Sequence, residues 1–468
     1  MSIKSTDLLR TLGLKLAIVV VIGNILGSGV YKKVAPMAAE VDSAALVLFC
    51  WVLGGIVTLI GALCSAELAG MLADTGGEFV YFKKIYNRFF AFLYGWSCFT
   101  AIKTTTTSAL AYVFAQSIHA ISPLPELVSS LADVSIFGIF YPFAGFNVKA
   151  TAILTIVLLT FFNTRGIRIG VGLSSVLLGM VVGGILLIVI FGLSSNEANA
   201  SAVINDFGTS PFQLSAVFTA MLSAFWAYEG WNSVGFVAGE IKDPNRNVPL
   251  SLSIGVLVVI VLYLLANTTY LSLLSIPELK SIFQSENQIA AVEAVRVFGG
   301  SVGALVISIL ILITTLGCLH ASIISNPRIY YAMAKEGLFF LETARVNKFN
   351  VPARALWFHG VWASLLILSG TFDQLTEMMI FAAFIFYGAS AFGVIVLRKR
   401  MPEVHRPYKV WGYPILPGLF VLFCAVLIVN TIISRPREAG IGIVLILIGV
   451  PFYFYFARKS GLSGSARK

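Results

Sequence analysis

Charge is what this sequence has least of. Only 12% of its 468 residues are Asp, Glu, Lys or Arg, whereas 58% are hydrophobic and the mean hydropathy is +0.90. Soluble globular chains carry about a quarter charged residues, so the composition excludes that class and indicates a polytopic membrane protein. The net charge of +10 then reflects basic loops, not a nucleic-acid surface. Cysteine is absent from every candidate outer loop. Cys50, Cys64, Cys98, Cys318 and Cys424 all fall in apolar runs, so no disulfide framework is implied. The four histidines lack metal-ligand spacing, and no GxSxG, HExxH or GxxxxGK[ST] motif occurs. No metal, cofactor or catalytic constellation is therefore expected. The first apolar stretch is too long and polar-interrupted to read as a cleaved signal.

What is present is a series of apolar runs, at about 12–34, 44–72, 89–120, 148–163, 169–194, 212–240, 249–273, 299–333, 355–371, 374–397, 413–434 and 439–457. Each approaches the ~20 residues that cross a bilayer as helix. Twelve spans with the N-terminus inside place 24 of the 32 basic residues on the cytoplasmic side. That bias predicts a multi-pass protein of the cell (inner) membrane with both termini cytoplasmic, and only the pair Lys32 and Lys33 argues against it. The segments 121–147 and 195–211 contain no Lys or Arg, apart from Lys149 just beyond the first, as expected outside. Asn199-Ala200-Ser201 is a sequon of the kind that arises often by chance.

Within the first run, Gly23-Asn24-Ile25-Leu26-Gly27-Ser28-Gly29 is a poor helix interior, because Gly frees the backbone and packs nothing. Two readings compete: a small-residue face for close helix packing, or a broken helix whose free N–H groups bind an anion at mid-membrane. A second interruption decides for the break. About 200 residues on, Phe225-Trp226-Ala227-Tyr228-Glu229-Gly230-Trp231-Asn232 puts a carboxylate, an amide and a glycine at mid-span, where ionisable residues face a cavity or a partner. Runs 1–5 (12–194) and 6–10 (212–398) each open with such a break, and 413–457 lies beyond both. Five spans per unit invert the second unit relative to the first, the pattern of an inverted-repeat secondary transporter.

Five segments extend the reading: GNILGSGVY at 23–31, AELAGMLADTGGEFVYF at 66–82, FWAYEGWNSVGFVAGEIKDPNRNVP at 225–249, NPRIYYAMAKEG at 326–337 and LRKRMPEVHRPYKVWGYPILP at 397–417. Together, over nearly all of the chain, they resemble the L-type amino acid transporter (LAT) branch of the amino acid–polyamine–organocation (APC) superfamily. The resemblance implies an all-α LeuT-like fold of 12 transmembrane helices, a 5+5 inverted repeat with helices 1 and 6 broken, plus helices 11 and 12. It places the substrate α-carboxylate on the amides of Ser28 and Gly29, with Gly27 allowing close approach. The α-ammonium falls on carbonyls of Ile25, Trp226 and Glu229, with Ala227 beside them. Half-helix N-termini favour anions and C-terminal carbonyls favour cations, so an amino acid zwitterion suits both. Trp226 stands where the family has a gating aromatic, and Asn232 is placed to contact a polar substrate. Glu229 is either ionised, favouring a basic side chain, or protonated and a donor. Lys103 either pairs with a carboxylate or faces the cavity, and Phe384 and Tyr387 either line the pocket or pack the core.

Two departures stand out. Many relatives carry a lysine on span 5; here the position falls at Met180 or Val181, and that span has no lysine. Either no cation sits there, or hydroxyls such as Thr314, Thr315 or Ser322 bind Na⁺. Animal members also join a heavy chain through a cysteine between spans 3 and 4, and residues 121–147 contain none, so a stand-alone, prokaryotic-type carrier is expected. The reading is an amino acid carrier, not an enzyme, and foremost a sodium-independent exchanger working by alternating access. Its alternatives are a proton- or sodium-coupled symporter for amino acids or amines, and a transporter-fold amino acid receptor.

Overall fold

The computed structural model describes residues 13–72, 77–166, 172–199, 201, 203, 206, 212–233, 241–285, 287–349 and 351–459. The extreme N- and C-terminal charges, the centre of the sequon and parts of the 66–82 and 225–249 segments lie outside these residues. Among those described, every regular element is helical, apart from isolated bridge residues such as the pair Ile136 and Phe140. Eight helices are long and apolar enough to cross a membrane, and three shorter ones are apolar. Leu154, Ile190, Val261, Val306 and Leu422 stand exposed along their outer faces, as on a surface solvated by lipid tails.

In chain order the helices are α1 (Leu14–Ile25), α2 (Gly29–Lys32), α3 (Val34–Val41), α4 (Ala44–Met71), α5 (Glu78–Ile85), α6 (Arg88–Ser97), α7 (Lys103–Ile121), α8 (Phe146–Thr164) and α9 (Gly172–Leu193). Then follow α10 (Leu214–Tyr228), α11 (Pro244–Leu273), α12 (Ile276–Gln284), α13 (Ala290–Ser325), α14 (Pro327–Lys335), α15 (Ala353–Ser369), α16 (Phe372–Arg400), α17 (Ile415–Ser434) and α18 (Pro436–Lys459). Every apolar run of the sequence contains helix among its described residues, the first being interrupted at Leu26. Three differ in detail. The run 89–120 is divided by a π-helical turn, Cys98–Ile102. In the run 212–240 an α-helix ends at Tyr228, and 234–240 lie outside the described residues. The run expected from 299 begins at Ala290, because α13 crosses a kink at Gly300, whose φ of 59° only glycine takes easily; the stretch before it carries Glu293 and Arg296 and so reads as polar.

Packing sets the breaks at the centre. The short α1 lies along α11, and α10 lies against α3, α4 and α16. Lys32 and Lys33, which countered the basic-loop pattern, are not loop charges. Lys33 is buried against Asp373 and Thr376, at 2.6 Å each, and Lys32 donates to Gln116 at 2.8 Å. A cation held inside the protein carries no topological signal.

At the other end of α16 a buried carboxylate fastens the following linker. Glu67 of α4 accepts from Arg398 through two bonds of 2.8 and 2.7 Å and from the Val410 N–H at 2.6 Å, and Arg406 lies 3.5 Å away. Arg398 also covers the Tyr413 ring at 4.0 Å. Glu67→Ala leaves these donors without their anion, and breaking a buried pair from one side costs about 3–5 kcal/mol. The expected result is a lower melting temperature in nanodiscs with faster proteolysis within 401–414. Unaltered melting and proteolysis would show that the linker is held by other contacts.

Candidate functional site

The helix α1 stops at Ile25, Leu26 is extended (φ −68°, ψ 104°), and helix resumes at Gly29. In the second interruption α10 stops at Tyr228 and Glu229 is extended (φ −60°, ψ 146°). Gly230 takes a φ of +111°, and a 3₁₀ turn covers Trp231–Ser233. The two interruptions touch backbone to backbone. A Cβ at Gly29 would fall 2.5 Å from both Cα and Cβ of Ala227, and one at Gly230 would fall 2.1 Å from the Asn24 carbonyl oxygen. Glycine at both places is thus a condition of the crossing.

The broken ends present unlike groups. The N–H groups of Gly27, Ser28 and Gly29 meet no acceptor among the described residues, and the buried Ser28 hydroxyl has no partner either. These are the donors that a helix start leaves over. On the carbonyl side, Trp226 accepts from the Glu229 N–H at 3.2 Å. The carbonyls of Ile25 and Ala227 converge on one hydroxyl, that of Tyr263 on α11, at 3.2 and 2.8 Å. A single O–H proton therefore serves both interruptions. Tyr263 is wedged between Trp51 and Tyr228, each with ring centroids 5.1 Å away.

Beside the second break lies a chain of polar side chains from five elements. Tyr387 of α16 donates to both oxygens of Glu229, at 2.8 and 2.9 Å, and the Lys103 ammonium stands 3.8 Å from the same carboxylate. The Asn232 amide nitrogen lies 3.4 Å from the Tyr387 hydroxyl and 3.4 Å from each oxygen of Glu78 at the start of α5. Tyr94 of α6 closes the chain with a short hydrogen bond to Glu78. Lys103, Glu229, Asn232 and Tyr387, separated by up to 284 residues in the chain, are thus brought together.

The remaining residues singled out from the sequence are placed as follows. Trp226 sets its edge on Phe372, centroids 5.8 Å apart, under the Lys33 that the same ring covers. Phe384 packs on Phe225 at 4.4 Å and on Tyr387 at 5.7 Å. Thr314 and Thr315 both donate into their own helix, to carbonyls of residues 310–312. Ser322 meets Thr107 at 2.7 Å and the Asn326 amide, in a network running through His359 to Tyr330. On α9, Val181 is buried and Met180 exposed, so an apolar side chain fills the place of the lysine. Two residues escaped the sequence reading. Tyr263 sits in a run that otherwise looks like plain membrane helix, and its only signal is a hydroxyl at mid-span. Glu78 adjoins a glycine pair in what reads as a loop, and only folding brings it inward.

Tyr263→Phe keeps the aromatic wedge and removes the shared proton, leaving two buried carbonyls short of a donor. The expected loss is about 1–3 kcal/mol, read as earlier thermal unfolding of the purified protein. Unchanged unfolding would mean that the hydroxyl ties nothing.

The chain as a whole has known counterparts. The model of the amino acid permease family matches residues 12–454. The serine/threonine exchanger SteT of Bacillus subtilis (strain 168) is 30% identical over 98% of this chain and 99% of its own length. The human b(0,+)-type amino acid transporter 1 is 28% identical over 97% of this chain and 89% of its own. The human large neutral amino acids transporter small subunit 2 is 29% identical over 95% and 80%. A match of this extent, on a helical membrane framework, shows that the chain belongs to a family of transporters and not of enzymes: the amino acid permease family, in its L-type amino acid transporter branch.

Proposed function

We propose that this protein exchanges amino acids across the membrane by alternating access, without sodium. The observation that carries the reading is the pairing of the two interruptions: unpartnered amides at Gly27, Ser28 and Gly29 on one side, carbonyl-bearing helix ends at Ile25 and Trp226 on the other. An α-carboxylate on the first and an α-ammonium near the second satisfies both. In this reading Trp226 closes over the substrate, Ala227 supports Gly29, and Glu229 with Asn232, Lys103, Phe384 and Tyr387 bounds the side-chain end. Exchange is favoured over uniport because the Bacillus relative is named an exchanger. In the sodium-coupled alternative the hydroxyl oxygens of Thr314 and Thr315, whose protons go to their own helix, would serve as ligands, and the Na⁺ dependence of uptake decides between the two.

The architecture proposed with it is twelve spans, with repeats 12–194 and 212–398 inverted on each other and 413–457 outside them. A parallel supports the repeat: α4 is followed by the short α5, and α11 by the short α12. Both termini are placed in the cytoplasm of a cell-membrane protein by the basic-loop bias. With no cysteine in 121–147, the carrier works without a disulfide-linked heavy chain.

Proteoliposomes preloaded with one amino acid at a time test the mode. Rapid uptake only into preloaded vesicles, alike with and without Na⁺, is the expected result, and equal initial uptake into empty vesicles would establish uniport instead. Gly29→Ala tests the site. Its methyl group has no room against Ala227, so substrate binding by calorimetry should be lost in a protein that still elutes as a folded monodisperse species. Normal binding by that variant would put the carboxylate elsewhere.

A further inference from the structure

Among the described residues, the buried carboxylates other than Glu78 lie within ion-pair distance of a cation. Among the described residues Glu67 pairs with Arg398, Glu377 with Arg435, Glu438 with Arg437, and Glu229 with Lys103. Glu78 is as deeply buried, 4% exposed, yet no ammonium or guanidinium of a described residue lies within ion-pair distance of it. Lys103 stands 3.8 Å from Glu229, which is joined to Glu78 through Tyr387 and Asn232, so among the described residues one cation serves a chain holding two acids. On α5 itself Lys83 turns to Glu336 and Lys84 is exposed. The other groups facing Glu78 are neutral: Tyr94 from α6, Cys98 from the π turn, Asn232 beside the second break and Tyr387 from α16.

A second observation points to what balances the extra charge. The Asn232 amide oxygen is buried and has no donor, while its nitrogen sits at a loose 3.4 Å from both Glu78 oxygens. A true bond from an amide to a carboxylate is nearer 2.9 Å. Amide orientation is set by the network around it. If Glu78 carries a proton, turning the amide over lets the carboxyl O–H donate to the orphaned oxygen, while the amide N–H groups move to the side that oxygen now holds. The position of Glu78 at the start of an eight-residue helix favours its anion only weakly by comparison with burial.

We propose that Glu78 and Glu229, joined through Asn232 and Tyr387 and sharing Lys103, form a proton-binding site that holds one proton at neutral pH, seated on Glu78. The step is a plain protonation: a Glu78 carboxylate oxygen takes H⁺ from hydronium, releasing a water molecule, and its O–H bonds to the Asn232 oxygen. The two acids titrate as one unit, so removing either abolishes the need for the proton. The inference borrows from the proposed function only its consequence for transport, since occupancy is measured without substrate.

The test is infrared difference spectroscopy of the full chain in nanodiscs, substrate-free, across a pH series in H₂O and D₂O. The expected difference spectrum at neutral pH contains a protonated-carboxyl C=O band that shifts in D₂O and vanishes as the pH is raised. Glu78→Gln should erase it. Glu229→Gln should erase it too, because one carboxylate then faces one ammonium, and this second variant decides the matter if the first does not fold. Absence of the band in the wild type, or its survival in Glu229→Gln, would overturn the proposal, whereas neither result bears on whether preloaded vesicles exchange amino acids.

Discussion

In a chain surrounded by lipid, a helix can stop only where something other than water takes over its backbone hydrogen bonds. Everything central to this protein follows from how that condition is met twice in the same place. The end of α1 and the end of α10 are pressed together with no side chain between Gly29 and Ala227 or between Gly230 and Asn24. The carbonyls left over share one hydroxyl from α11, and the amides left over are held for something else. Tyr263 is fixed by aromatic packing on Trp51 and Tyr228, so the tie depends on α4 and α10 as well as on its own helix.

Much of this was readable from residue order because glycine and charge are conspicuous in an apolar run. Gly27, Gly29 and Gly230 mark the interruptions without any knowledge of neighbours, and Glu229 and Lys103 announce themselves by being ionisable at mid-span. What could not be read is pairing at long range. That Glu229 meets Lys103 and Tyr387, that Glu78 reaches Asn232, and that Thr314 turns back on its own helix are decided by helix rotation and tilt, to which periodicity in an almost wholly apolar chain is nearly blind. Helix ends were misjudged where polar residues preceded a kink, as before Gly300, because hydropathy marks where a helix is greasy and not where it begins.

The distribution of ion pairs divides the molecule by role. Toward one end, Lys33, Asp373, Arg435, Glu40 and Glu377 join α3, α16 and the turn between α17 and α18. Toward the other, Glu67 gathers Arg398 and the linker after α16. In both sets every acid lies within ion-pair distance of a cation, with Arg435 serving both Glu40 and Glu377, and the pairs join elements. Among the described residues the middle set differs in holding an acid, Glu78, with no cation at ion-pair distance, beside an amide oxygen without a donor. An unfinished electrostatic arrangement between two finished ones is where exchange of charge with a solute is energetically accessible.

The π turn at Cys98–Ile102 has a further consequence. A turn of this kind inserts one residue into a helix, and in an α-helix each residue advances the face by about 100°. Its loosened carbonyls are taken up by Trp362, which donates to Thr100 at 2.9 Å, and by Thr104, which reaches Phe99 at 2.7 Å. The segments α6 and α7 form one rod but are out of phase with each other. The first half turns Trp96 toward α18, and the second half begins with Lys103 already aimed at Glu229. The lysine's bearing is therefore encoded as an offset, stored in the five residues immediately upstream of it. A chain shortened by one residue there would keep every side chain of α7 and point all of them somewhere else.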